Sequence, residues 1–371
     1  MGTVTGPGKG DADMAPNETG GSGNRYDAAA LTGFAEALLR AAGLSTDMAG
    51  TVASVLVEGD LLGHDTHGLA LLPGYLDELS KGSMACEGEA EILSDTGPAA
   101  TWDGKRLPGP WLVSAALQQC MSRAETYGTA TVVIRRSHHI ACLAAYLKTA
   151  TDRGCVALIA SSDPSVESVA PFGGTRRLIT PNPLAAGLPT TGDPVLLDIS
   201  MSTTTNGMVA RAFRENRKLP HPWVLDAEGR ATDDPAAFFA DPPGSILPLG
   251  GEELGYKGFG LGLLIEALTA GLTGHGRADD KEGWGATVFV QVLDPRRFGG
   301  TGAFRRQMDF LAAAIAGNPA AAGHRGPRVP GHQGLRNRAR QLRDGLVLHP
   351  AILPALAPWA ARLQVPHPEA F

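Results

Sequence analysis

Four short aliphatic runs constrain this chain more than any other feature: "TATVVIRR" (129–136), "GCVALIAS" (154–161), "DPVLLDIS" (193–200) and "WGATVFVQVLD" (284–294). Each is β-branched or aliphatic, is bounded by turn residues and has the length of a strand. Between them "GPWLVSAALQQCMSRAETYG" and "IACLAAYLKTATDRG" are long and periodic enough for helices, so the middle of the chain reads as an α/β domain. Before it, "YDAAALTGFAEALLRAAGLS" and "DMAGTVASVLVEGDLLG" form a helical hairpin, with Gly43 ending the first helix and Ser45 or Thr46 placed to cap the second. After about residue 303 the chain returns to helices and Pro-rich connections. "YKGFGLGLLIEALTAGLTG" is apolar on nearly every face, as suits a helix buried inside the fold. The expected organisation is a tail over residues 1–24, a helical domain from 25–95 with 303–371, and an α/β domain over 96–302. The tail is predicted to be disordered, since "MGTVTGPGKGDADMAPNETGGSGN" has no apolar period to offset the entropy of ordering.

The 371 residues are 43% hydrophobic and can bury a large core. No segment reaches the roughly eighteen apolar residues of a membrane span, and the start lacks the pattern of a signal peptide, so a cytoplasmic protein is expected. Cys86, Cys120, Cys142 and Cys155 show no CxxC spacing and read as reduced, buried thiols. A net charge of −6 argues against nucleic acid as a partner, although "RGPRVPGHQGLRNRARQLR" is locally basic and could receive a phosphate group.

Neither G-x-G-x-x-G after a strand nor G-x-x-x-x-G-K-[ST] occurs, which removes the Rossmann and P-loop readings, and HExxH and G-x-S-x-G are also absent. What remains is a set of polar residues in apolar surroundings. "LLGHDTHG" places His64, Asp65, Thr66 and His67 at the end of the second helix. Ser137, His138 and His139 end one strand, Asp198 ends another, and Asn182 lies in "ITPNPLAAGLP". Strand ends are where α/β proteins place their chemistry.

An acid/base histidine needs a partner that fixes its tautomer, and Asp198 is the candidate for that partner. Plainer roles stay open beside this one. His64 would complement a helix C-terminus, His67 would be a turn residue, Asp198 would cap the helix after "STTTNG", and Asn182 would make a turn before Pro183. Of His138 and His139 one is expected to face a site and the other to pack. A metal-dependent hydrolase built on His64, His67, His138 and His139 is a further alternative, weakly supported because H-x-x-H alone completes no metal site.

Taken in order, "EGDLLGHDTHGLALLPGY", "IRRSHHIACLAAY", "ITPNPLAAGLP", "PVLLDISMS", "LPHPWVLDAEGRATDDP" and "LPLGGEELGYKGFGLGLLIEALTAGLTG" resemble the malate/L-lactate dehydrogenase family. That family includes ureidoglycolate, sulfolactate and 2,3-diketogulonate dehydrogenases and Δ1-piperideine-2-carboxylate reductases. The resemblance runs from about residue 26 to 350. It implies an NAD(P)H-dependent oxidoreductase, a homodimer, with a mixed-sheet, non-Rossmann cofactor domain and a helical domain built from the two ends of the chain. The substrate it implies is a small molecule, a ketone or cyclic imine next to a carboxyl-derived carbon.

By position, His67 then matches the acid that protonates the substrate oxygen or nitrogen, Thr66 stands where the family has serine, and His139 is the second active-site histidine. Asp198 matches the orienting aspartate. Ile140, Ala141, Asp163, Ile199, Ser200, Pro248 and Gly250 fall on cofactor-contacting stretches. Arg325 and Arg328 would meet phosphate, which inclines the cofactor toward NADPH over NADH. Tyr75 and Asn182 fall on the substrate pocket.

Leu71 departs from the pattern, because the family has there an arginine that clamps the substrate carboxylate. Its loss encourages a larger substrate, a clamp from Arg135 or Arg211, or a catalytically inactive cofactor-binding relative. Met208 and Ala141 depart as well, standing where a basic residue and a glycine are usual.

Overall fold

A computed structural model describes residues 24–281 and 283–371 of the chain. Almost all of the expected disordered tail, 1–24, lies outside the described residues. The chain opens with helices α1 (Ala28–Ala41), α2 (Thr46–Leu62) and α3 (Leu72–Lys81), then strands β1 (Glu91–Asp95) and β2 (Ala99–Asp103). Next come α4 (Gly109–Tyr127), β3 (Thr129–Ser137), α5 (Ala144–Thr151), β4 (Val156–Ser162), β5 (Leu184–Leu188), β6 (Val195–Ile199) and α6 (Asn206–Arg214). A small three-stranded sheet follows from β7 (Val224–Leu225), β8 (Ala231–Thr232) and β9 (Ser245–Ile246), with the one-turn α7 (Ala236–Phe239) between β8 and β9. The remainder is α8 (Gly251–Glu266), β10 (Ala286–Leu293), α9 (Thr301–Ala316), α10 (His332–Asp344) and α11 (Ile352–Leu363).

The main sheet has seven strands in the order β1-β2-β3-β10-β4-β5-β6. Only β2 and β3 run parallel among the paired strands, so the sheet is mixed. Strand alternation assigns its two faces. Val132, Ile134, Ile159, Val288, Val290 and Val292 enter the large core shared with α1, α2, α4 and α5, while Val133, Ala160 and Phe289 turn to the opposite face and meet Met201 and Ile265. The sheet begins at Glu91, five residues ahead of the boundary expected from the sequence. All five residues of β1 are exposed, so this edge strand has no apolar run to announce it.

The two ends of the chain meet, as Tyr26 and Leu346 exchange backbone hydrogen bonds of 3.0 and 2.8 Å. The α10 side chain of Gln341 donates to the carbonyls of Asp60 and Leu61 at 3.1 and 3.0 Å, satisfying acceptors that a helix end leaves open. Arg338 pairs with Glu58 at 2.7 Å. The C-terminal segment thus fixes the end of α2 from which the HDTHG turn departs.

Two expectations fail. Helix α8 and the π-turn after it do not lie inside the fold: within α8 only Gly255, Gly258, Gly262 and Ile265 are buried, and Leu254, Leu261, Leu263, Leu264 and Leu272 are between 43% and 55% exposed. An all-round apolar sequence marks a helix to be covered, and this chain alone covers one side of it. Cys86 is exposed, whereas Cys120, Cys142 and Cys155 are buried; all four are free thiols. Among the described residues, no helix is long and apolar enough to cross a membrane.

The HDTHG turn is anchored from below by Asp60. Its buried carboxyl accepts the Leu69 N–H at 2.7 Å, and a side chain at Gly68 would run into it, so that position requires glycine. Burial pushes the Asp60 pKa from 3.8 up to about 8, with the Leu69 N–H opposing and Asp65 adding to the rise. The folded state therefore holds this proton where the unfolded chain has lost it. The stability it contributes is complete below pH 3.8 and is lost as pH rises through about 8. At 1.36 kcal/mol per pKa unit, the loss is on the order of 5 kcal/mol across that window. Asp60→Asn keeps an acceptor for Leu69 and cannot ionise. Thermal melts from pH 5 to 9 should show it increasingly more stable than the parent as pH rises; an equal difference at every pH would contradict a neutral buried carboxyl.

Candidate active site

A cavity of about 480 Å³ opens where the α2–α3 turn, the end of β3, the end of β6 and the start of α6 converge. Helix α2 stops at Gly63, whose φ of 92° is open to glycine without strain, and the His64 N–H still reaches the Gly59 carbonyl at 2.8 Å. His64, Thr66 and His67 then face the cavity, and a 3-10 turn, Leu69–Leu71, leads into α3. On the facing wall β3 ends at Ser137, and His139, Ile140, Ala141, Cys142 and Leu143 carry the chain to α5.

His67 and His139 look into the same space with ring centroids 6.1 Å apart. The Thr66 hydroxyl lies 2.9 Å from His67 Nδ1, so the partner that fixes this ring is Thr66. Asp198, expected in that role, makes no hydrogen bond to His67. Its Oδ2 instead accepts the Ala144 N–H at 2.8 Å, capping α5, and Thr205 rather than Asp198 caps α6. Asp198 nevertheless lines the cavity and acts on His67 through its charge. Burial holds the His67 pKa below the ordinary imidazole value, Asp198 opposes that shift, His64 adds to it, and Asp65 opposes it.

His139 is locked more completely. Ala141, at a φ of 58° that strains an alanine, aims its N–H at His139 Nδ1 from 3.2 Å, and the Tyr75 hydroxyl lies 3.0 Å from the same nitrogen and 3.1 Å from the His139 carbonyl. With Nδ1 accepting, the ring proton sits on Nε2. Burial, then the neighbouring His67 and His138, push its pKa well below 6.5, so the ring is neutral. The indole of Trp284 lies against it at 4.8 Å between centroids.

His138 is the packing member of the pair. It is fully buried, its Nδ1 accepts the His139 N–H at 2.9 Å, its Nε2 faces Glu78 at 3.3 Å, and burial brings its pKa down to about 4. Both of its nitrogens are thus occupied, and the four-histidine metal set of the hydrolase reading is not assembled. The metal-capable group found among the described residues is His64, Cys142 and Asp198.

Of the other expected site residues, Leu71, Ile140, Ala141, Asp163, Ser200 and Met208 line the cavity. The Asp163 carboxyl accepts the Ser165 and Gly285 N–H groups at 2.8 and 3.2 Å, and burial raises its pKa. Tyr75 does not line the cavity; it is fully buried behind His139. Nor does Asn182, which is fully buried at a φ of 46° and donates to the Gly262 carbonyl and Glu266, both at 3.0 Å. Ile199, Pro248 and Gly250 lie off the cavity, since β6 turns Ile199 away from Asp198 and Pro248 bridges to Ser202. Arg325 and Arg328 are exposed, on the segment whose Pro330 carbonyl accepts the Leu196 N–H at 3.1 Å.

Neither proposed substitute for the missing clamp reaches the cavity. Arg135 pairs with Asp103 at 3.0 Å, and Arg211 grips both oxygens of Asp65 at 3.1 and 3.0 Å on the wall of an adjoining hollow. Trp284, Cys142 and Asp60 escaped sequence reasoning. A lone tryptophan before a strand, an isolated cysteine and a helical aspartate carry no spacing signal.

The model of the family described as malate/L-lactate dehydrogenase matches residues 26–357. An L-lactate dehydrogenase from Cupriavidus necator is 31% identical over 344 residues, covering 91% of this chain and 97% of that protein. A (2R)-3-sulfolactate dehydrogenase (NADP(+)) from Chromohalobacter salexigens is 34% identical over 242 residues, covering 65% and 70%. Among solved structures, the Δ1-piperideine-2-carboxylate reductase from Pseudomonas syringae pv. tomato aligns with a TM-score of 0.79 at 28% identity, covering 91% of this chain and 99% of the other. With the mixed sheet, the helical body and the paired histidines in view, the chain belongs to the malate/L-lactate dehydrogenase family and is an oxidoreductase.

Proposed function

We propose that the protein reduces a ketone or cyclic imine beside a carboxyl-derived carbon, with a nicotinamide dinucleotide as hydride donor and His67 as proton donor. The observation that carries this reading is the pair of unlike imidazoles on one cavity, one able to gain and lose a proton and one held neutral. The residues present fit the nicotinamide end of such a cofactor. The lining combines uncharged hydroxyls at Ser161, Thr180 and Thr205 with flat apolar surface at Trp284, Pro181 and Pro183, and among the described residues it contains no lysine or arginine. Phosphate contacts fall to Arg325 and Arg328, and NADPH is the preferred form. The NADP(+) named for the sulfolactate relative supports that choice.

When bound, the dihydronicotinamide supplies hydride to the electrophilic carbon. His67 holds a proton on Nε2 while its Nδ1–H donates to Thr66 Oγ1, and it releases the Nε2 proton to the substrate oxygen or nitrogen as negative charge develops there. Asp198 keeps the imidazolium accessible despite burial. His139 offers its Nε2–H as a fixed donor, and Leu71 leaves an apolar wall where relatives grip a carboxylate. A chain that bound cofactor and reduced nothing would instead be the inactive relative that Leu71 encourages.

His67→Ala should lower the reduction rate by about 10²–10⁴ while dinucleotide binding, read from quenching of protein fluorescence, stays within a fewfold of the parent. Because burial holds the His67 pKa below the ordinary imidazole value and reduction needs its protonated form, the reduction rate should fall as pH rises, at lower pH than a free imidazole would dictate, and oxidation should show the opposite trend. His67→Ala should lose this dependence, and a reduction pH profile left unchanged by that substitution would remove His67 from the proton path.

Leu71→Arg should raise kcat/KM for small 2-oxo acids by roughly 10–100-fold, the effect of a charge-assisted hydrogen bond of ~1.5–3 kcal/mol. No gain would place the carboxyl-bearing carbon elsewhere in the cavity.

The exposed leucines of α8 are covered by a second copy in this reading, giving a homodimer. Sedimentation should return about twice the 38.5 kDa chain mass, and Leu261→Glu with Leu264→Glu should return the single mass. A monomeric parent would end the dimer proposal.

A further inference from the structure

His64, Cys142 and Asp198 come from three separate places: the turn after α2, the approach to α5 and the end of β6. An imidazole nitrogen, the thiol sulfur and a carboxylate oxygen nevertheless lie within 4.8 Å of one another on the cavity wall, with Cys142 Sγ 3.7 Å from Asp198 Oδ2. Both described donors to Asp198, the Ala144 N–H and the Cys142 S–H, fall on Oδ2, which leaves Oδ1 available among the described residues. Cys142 is 2% exposed, while His64 and Asp198 are half-buried.

We infer that this triad is a binding site for a thiophilic divalent cation of the Zn²⁺ class, held by one nitrogen, one sulfur and one oxygen, with the fourth position open to the cavity. The donor set makes the selection. Borderline ions take mixed N, S and O ligands, whereas Mg²⁺ and Ca²⁺ require oxygen shells. Charge balance favours the same ion. A divalent cation with one thiolate, one carboxylate and a neutral imidazole sums to zero, which lowers the penalty of placing an ion on a partly buried wall. Binding displaces the thiol proton to solvent and forms the metal–sulfur bond in its place. Bonds of about 2.0–2.3 Å at tetrahedral angles put ligand atoms roughly 3.3–3.8 Å apart, so the side chains draw in by about 1 Å when the ion enters.

The ion would stand beside His67 and take up part of the cavity, so Zn²⁺ should also block turnover. That consequence rests on the function proposed above; the binding itself does not.

Co²⁺ tests the site as a spectroscopic substitute for Zn²⁺. Titrated into the purified full-length chain, it should bind at one equivalent and give a thiolate-to-cobalt charge-transfer band with intense visible bands of tetrahedral cobalt, both erased by Zn²⁺. Cys142→Ser should abolish the charge-transfer band with the far-ultraviolet circular dichroism unchanged, and Cys86→Ser, at the exposed thiol, should keep it. His64→Gln, at the half-exposed end of the triad, serves if Cys142→Ser does not fold. It should weaken Co²⁺ binding by at least the roughly 10–100-fold that loss of an outer partner costs a metal site. A band that survives Cys142→Ser or vanishes with Cys86→Ser would overturn the proposal, as would an absence of saturable binding. An intact Co²⁺ spectrum without inhibition of turnover by Zn²⁺ would uphold the metal site and overturn the placement of the reaction in this cavity.

Discussion

The carboxyl of Asp60, buried beneath Gly68 and holding the Leu69 N–H, is the contact on which the geometry of the cavity depends. A buried acid in that position is expensive when ionised, so the structure keeps it neutral and uses it as a peg for the backbone. The peg defines where the HDTHG turn crosses the end of α2, and the turn in turn sets the direction of His67. Gln341 and Arg338 reinforce the arrangement from the C-terminal segment, which is why residues far apart in the chain serve one loop.

The two cavity histidines share a residue type and differ in every property that matters to chemistry. His67 has a hydroxyl beside Nδ1 that can donate or accept, and a carboxylate close enough to favour its charged form. His139 has a backbone N–H aimed at Nδ1 and two further imidazoles nearby, all of which disfavour its charged form. The difference follows from environment alone, as it does wherever paired titratable groups are pushed apart.

Much of this was legible in the sequence, and the exceptions have physical reasons. The strands β3, β4, β6 and β10 and the helices α1, α2 and α4 were readable because each buries a face and carries its period. Strand β1 buries nothing and left no trace. Helix α8 was read as internal because its composition records only that its surface is meant to be covered. His64, Thr66, His67, His139 and Asp198 were visible as polar residues in apolar runs, and the structure gathers them on one cavity. The bonds among them were not visible. That Asp198 meets Ala144 while Thr66 meets His67 depends on rotamers and on where α5 begins, and the grouping of positions 64, 142 and 198 obeys no spacing rule.

The arrangement at His139 has a consequence for the reaction proposed for this cavity. With its Nδ1 claimed by a donor from the chain, the ring behaves as a permanent dipole whose direction was fixed when the protein folded. Water beside a changing charge must reorient, and that relaxation adds to a barrier; a dipole already aligned does not relax. The strain held at Ala141 is thus an expense of folding that is never repeated at each turnover.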